Sequence, residues 1–178
     1  MKLTTRELAQ DALVVTLLIV GGYLLYFVSK VFPFPGGKFI VMAPYLTLVL
    51  YFPIARTKRV GTITLVNMAF AILLGFISFF MSVAIVLSGA LTDAVALIVG
   101  GYRTEKHILF VLPLYAVFSL ISSVYIADYI TGSRIYGTFG IGPIAVMALV
   151  VYGLGLIGTF TGKWLSRRLQ TDSQRRQP

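Results

Sequence analysis

The residue best placed to do chemistry in this chain is Asp93, the only charged side chain in the 43 residues from Val60 to Tyr102. A carboxyl group among apolar residues is costly in a membrane and marks either an ion or proton pathway or a polar contact between helices. Both uses stay open for Asp93: a coupling carboxylate, or a protonated or capping group that joins helices. Asn67, in the same stretch, is the other intramembrane polar candidate, and amides of this kind commonly bridge neighbouring helices. A second group gathers elsewhere in the chain: Lys38 beside Gly36 and Gly37, and Tyr125, Asp128, Tyr129, Arg134 and Tyr136 around a glycine-rich segment. Such a set can cup a small organic solute, with rings stacking on it and charges orienting it, although tyrosines also populate membrane interfaces without binding anything. Small residues recur at four-residue spacing in Ala12-x-x-x-Thr16, Ala71-x-x-x-Gly75 and Gly158-x-x-x-Gly162, a spacing that lets helices approach closely. The pairs at 71 and 158 are expected to pack within the molecule, and the pair at 12 can face a partner.

Other chemistries find no residues to support them. The chain has no cysteine, and its one histidine, His107, stands beside Lys106 in a polar segment. No zinc-protease, nucleophile-elbow or phosphate-loop pattern occurs, so no metal, cofactor or enzymatic activity is expected, and active transport would need energy from another chain or an ion gradient.

These residues must be held by elements built for lipid. Of 178 residues, 58% are hydrophobic and 12% charged, and the mean hydropathy is +0.91, a balance foreign to soluble domains. The first apolar run starts near Thr5 and ends by Lys30. Asp11 before it, and the bulky Tyr23 to Phe27 within it, predict a retained helix rather than a cleaved signal. Val31 to Gly37, with two prolines and two glycines, is a loop. Phe39 to Ala55 forms a second span, short or kinked at Pro44 and Pro53. Val60 to Tyr102 would reach about 65 Å as one helix, twice the hydrocarbon thickness, so it must fold into a hairpin. A break near Ser78 to Ser82 predicts helices over 62–79 and 83–100. Ile108 to Ala127 is a fifth span, Asp128 to Pro143 a long irregular connection, and Ile144 to Trp164 a sixth span. The fold class is therefore an all-α integral membrane protein, a bundle of six transmembrane helices over residues 1–165 with a polar, basic tail at 166–178.

Charge sets the orientation. With six spans, twelve of the fifteen lysines and arginines fall on one side and only Lys30, Lys38 and Arg134 on the other, which predicts both termini in the cytoplasm of a multi-pass cell-membrane protein. The net charge of +9 is accordingly assigned to the lipid bilayer surface and not to nucleic acid.

One block carries a family resemblance. Lys58-Arg59-Val60-Gly61-Thr62-Ile63-Thr64 leads into the hairpin, which closes in Leu91-Thr92-Asp93-Ala94-Val95-Ala96-Leu97 and then Gly100-Gly101-Tyr102-Arg103-Thr104-Glu105-Lys106. With the chain length and six-span topology, this resembles the substrate-binding S components of energy-coupling factor transporters, nearest to the Trep_Strep group. The resemblance covers about 60 residues by motif and the remainder by architecture only. It implies a capture subunit for a vitamin or related micronutrient that docks on a separate transmembrane coupling subunit driven by ATPase subunits. It further implies a lid at Pro33 to Lys38 over a cavity formed mainly by the last three helices, with Lys38, Tyr125, Asp128, Tyr129 and Arg134 at the solute. In that family an Ala-x-x-x-Ala face on the first helix docks, and this chain departs from it with Ala12 and Thr16. The alternatives are a self-sufficient secondary transporter or channel using Asp93, and a structural membrane protein.

Overall fold

The computed structural model of the chain describes residues 5–29, 31, 37–76, 78–130, 132 and 140–175, with side chains between Ala12 and Arg168. Among the described residues there are six α-helices and no strands: α1 Thr5–Ser29, α2 Gly37–Thr57, α3 Thr62–Gly75, α4 Phe79–Val99, α5 Glu105–Tyr129 and α6 Ile141–Arg175. All but α3 are long and apolar enough to cross a membrane, as a multi-pass membrane protein requires. The 14 residues of α3 reach about 21 Å, short of the roughly 30 Å hydrocarbon layer.

The hairpin turn lies earlier than the 78–82 expected. α3 stops at Gly75 and α4 starts at Phe79, replacing the boundaries at 79 and 83. The reason is local: Ser78 is extended (φ −155°) and its hydroxyl accepts the Met81 N–H at 3.4 Å, so it serves as the N-cap of α4. α2 is longer than the 39–55 expected and runs 21 residues through Pro44 and Pro53. Hydroxyls lie against carbonyls near both prolines: Thr47 Oγ1 is 2.9 Å from Ala43 O, and Thr57 Oγ1 is 2.9 Å from Pro53 O. The polar segment from Ser166 to Arg175 continues α6. His107 belongs to the first turn of α5 and not to a loop. Thr104 caps that turn, and the His107 ring nitrogen Nδ1 lies 3.2 Å from Gly101 O.

Helices α2, α3, α4 and α5 close a ring in which each touches the next, with α1 against α2 and α3, and α6 against α2 and α5. The α2–α6 seam depends on glycine. A Cβ at Gly158 would collide with the Pro44 carbonyl and the Thr47 hydroxyl, and one at Gly162 would sit 2.8 Å from Tyr51 Cβ. Thr47 Oγ1 also lies 2.9 Å from Gly155 O across this seam. The four-residue spacing at 158 and 162 therefore serves internal packing, as expected. In the pair at 71 and 75, Ala71 is buried and Gly75 exposed. A large apolar cluster including Leu18, Leu50, Ile54, Ile63, Val66, Val111 and Leu112 joins α1 to the ring helices. A smaller one of Phe39, Ala43, Ala116, Leu120, Val124 and Val151 joins α2, α5 and α6.

Candidate functional site

Asp93 lies at the junction of α3, α4 and the α4–α5 connection. The N-cap of α3 is Gly61, at φ 93° and with no side chain to accept a hydrogen bond. Asp93, from α4, takes that place. Its Oδ2 accepts from the Thr64 backbone N–H at 2.8 Å and from the Thr64 hydroxyl at 2.6 Å, and Thr64 is the third residue of α3, the position an N-cap side chain normally serves. Its Oδ1 accepts from the Tyr102 hydroxyl at 2.8 Å. Tyr102 reaches it because Gly100 and Gly101 adopt successive left-handed conformations (φ 98° and 82°), which reverse the chain and return the ring to the bundle. Tyr102 is fully buried and Asp93 only 5% exposed. Burial, then the Asp93 charge and the hydrogen bond to it, push the Tyr102 phenol well above the ordinary tyrosine range, so it remains a donor. Three donors converge on one carboxyl at the positive end of a helix, an arrangement that suits an acceptor-only carboxylate. This geometry fits the structural use of Asp93 left open from sequence: it caps α3 from a neighbouring helix.

A second polar pair crosses the ring. Tyr115 on α5 donates its hydroxyl to Asn67 Oδ1 on α3 at 3.0 Å, both side chains being essentially inaccessible. The Asn67 amide nitrogen has no hydrogen-bond partner and rests on Gly89 of α4, where a Cβ would come within 2.6 Å of it. Asn67 thus bridges helices, as its residue type suggested, and Gly89 is the position that makes room for it.

Of the residues expected at a solute site, Lys38, Tyr125, Asp128 and Tyr129 are described, and they fall at one end of the bundle. Tyr125 and Tyr129 pair with ring centroids 4.7 Å apart, and both are exposed. The Lys38 ammonium lies 5.1 Å from the centroid of the Phe39 ring, and Phe39 packs in the cluster with Leu120 and Val124. Lys38 is therefore brought to the same end as the last turns of α5, on which Asp128 is half-buried. Arg134 and Tyr136, and Pro33 to Gly36 of the expected lid, lie outside the described residues. Among the helices named for the cavity, α5 stands between α4 and α6, which do not touch each other. Among the described residues no group of three or more acidic or histidine side chains could hold a metal ion.

Ala12 and Thr16 lie on the exposed face of α1, opposite the buried Val14, Val15 and Leu18. The Thr16 hydroxyl donates back to Ala12 O at 2.8 Å, so its polar group is satisfied within α1. α1 is fastened on its other side by Tyr45, whose hydroxyl donates to Leu17 O at 2.5 Å. Thr64, Tyr102, Tyr115 and Gly89 join these contacts without a role that the sequence alone assigns. The legible signals were a glycine at a helix start that cannot cap itself and a glycine pair followed by a tyrosine. Tyr115 and Gly89 carried none.

Comparison with known proteins finds no matching family model, no similar curated protein and no similar solved structure.

Proposed function

We propose that this chain is a membrane-embedded solute-capture subunit, of the kind found in energy-coupling factor importers, that binds a vitamin or related micronutrient and docks on a separate coupling subunit with its ATPases. In this proposal the chain sits in the cell membrane with both termini in the cytoplasm, as the twelve-to-three distribution of lysine and arginine favours. The supporting observation is the placement of α1. It packs only on α2 and α3 and turns Ala12 and Thr16 outward, which leaves a small-residue face for close approach by a partner helix. The end carrying Lys38, Tyr125, Asp128 and Tyr129 offers a cation, a carboxyl group and paired rings to a solute, and Arg134 is added to that set from the sequence.

The test is a binding screen of the purified protein against a panel of vitamins and related micronutrients, read by thermal unfolding in detergent. A raised unfolding midpoint with one compound, lost in Y125A and Y129A but kept in A12L, supports capture. A flat response to the whole panel refutes it. Docking is tested separately by co-purification. Recovery of a coupling subunit and ATPases with the native chain and not with A12L/T16L is the expected result, and solute uptake in liposomes without any ATPase would replace this proposal with a secondary transporter.

A further inference from the structure

The basic end of α6 meets the start of α5, at the opposite end of the bundle from Tyr125 and Tyr129. Its apolar stretch from Ile141 to Arg168 covers 28 residues, about 42 Å of helix, which matches the roughly 40–45 Å of a whole bilayer with its headgroups. Residues 163 to 168 therefore fall at the depth of lipid phosphates. Two adjacent rows of side chains run along this last turn. Lys163 and Arg167 face the start of α5, where Glu105 holds both: Lys163 Nζ at 2.7 Å, and Arg167 Nη2 at 3.0 and 2.9 Å from its two oxygens. Trp164 and Arg168 form the outer row. The Arg168 guanidinium lies 3.9 Å above the Trp164 ring, and Trp164 is 53% exposed.

One carboxylate thus serves two cations, and Arg168, held over an aromatic face, has no acidic partner among the described residues. Exposed Arg103 and Lys106 flank Glu105 in the chain and add positive charge to this corner. A guanidinium stacked on a ring at the membrane surface keeps its fork of N–H donors directed at its edges, which suits the oxygens of a phosphate. We propose that the corner of Trp164, Arg168, Lys163 and Arg167 binds the phosphate of an anionic phospholipid, the indole lying along the acyl chains and Arg168 contacting the headgroup.

Trp164 is the only tryptophan in the chain, so its fluorescence reports this site directly. The full-length protein is reconstituted in phosphatidylcholine vesicles containing chain-brominated phosphatidylglycerol or, in parallel, chain-brominated phosphatidylcholine, and quenching is compared. Preferential quenching by the brominated phosphatidylglycerol is expected. R168Q should lower that preference about fivefold, the worth of one cation at an anionic surface, and R168K, which keeps the charge but not the fork of donors, should fall between R168Q and the native protein. R59Q, which removes the same charge from the α2–α3 connection, should leave it unchanged. Equal quenching by the two lipids, or an equal fall in R59Q, overturns the assignment. So does loss of the preference on adding soluble glycerol phosphate at constant ionic strength, which would make this a site for free phosphate. Arg168 is exposed, and an unchanged circular dichroism spectrum checks that R168Q is folded.

Discussion

Replacing Asp93 separates a capping role from a charge-coupling one. In Asp93→Ala, three donors lose their acceptor: the Thr64 N–H, the Thr64 hydroxyl and the Tyr102 hydroxyl. The Thr64 hydroxyl can turn to a carbonyl of its own helix, so two buried donors are stranded, at about 1–3 kcal/mol each, and α3 loses its cap, worth about 1 kcal/mol. The sum is roughly 2–6 kcal/mol, allowing for overlap between the cap and the stranded Thr64 N–H. Asp93→Asn behaves differently. Its amide oxygen can accept from both Thr64 donors, while its NH2 donates to the Tyr102 oxygen, which can act as an acceptor. What remains lost is the charge at the α3 N-terminus, about 1 kcal/mol, and the acceptor for the buried Tyr102 O–H, about 1 kcal/mol more. Thermal unfolding in neutral detergent should therefore rank native above D93N and D93N above D93A, with midpoint drops of roughly 6 °C and roughly 12 °C. Equal drops for the two variants would mean that the charge, not the hydrogen-bond geometry, matters. A D93A protein as stable as the native one would refute the capping argument altogether.

The Tyr102 phenol has its proton affinity raised in the folded state, so its contribution to stability is complete below the ordinary tyrosine pKa of about 10 and is lost as pH rises above it. Unfolding followed between pH 9 and about 11.5 should show a steeper loss in the native protein than in Y102F, by up to about 1.4 kcal/mol per pH unit. Gly158→Ala should destabilise by about 1–3 kcal/mol because its Cβ meets the backbone of Pro44. Gly153→Ala, with open space at its Cβ, should be neutral or stabilising by up to about 1 kcal/mol, and denaturant titration of the pair checks the contrast. Tyr115→Phe alone leaves the whole Asn67 amide unpaired and should cost about 1–3 kcal/mol, whereas N67L/Y115F removes both polar partners and should recover most of that loss in the same assay.

What the sequence reveals of this fold follows from where its contrasts lie. The ends of α1, α2, α5 and α6 are marked by lysines, prolines and glycines against apolar runs, and those marks are local. The α3–α4 turn is poorly marked because both halves are apolar all round, leaving Ser78 and Ser82 as nearly equivalent candidates. Asp93 is conspicuous as a lone charge, yet its meaning depends on Thr64, 29 residues earlier, and on Tyr102, which arrives through two left-handed glycines. Asn67 finds Tyr115 across 48 residues, on a helix that is not its neighbour in the ring. No local pattern encodes such a pair. Lys38, Tyr125 and Tyr129 could be assigned to one end from topology alone, because that needs only the count of helices between them.

The polar contacts also explain how a helix as short as α3 holds its place. With 14 residues, and an N-cap glycine that contributes no side chain, α3 has little intrinsic stability, since isolated helices of that length are marginal. Three other helices compensate through polar contacts. Asp93 caps it from α4, Tyr115 engages Asn67 from α5, and the Thr57 and Thr62 hydroxyls meet at 2.9 Å where α2 hands the chain over. Each contact ties α3 to a different element of the ring, so α3 can shift as a unit only by breaking polar contacts with three partners at once. The position of Asp93 in an otherwise uncharged hairpin then has a sufficient physical cause in the need to start a short helix at a glycine.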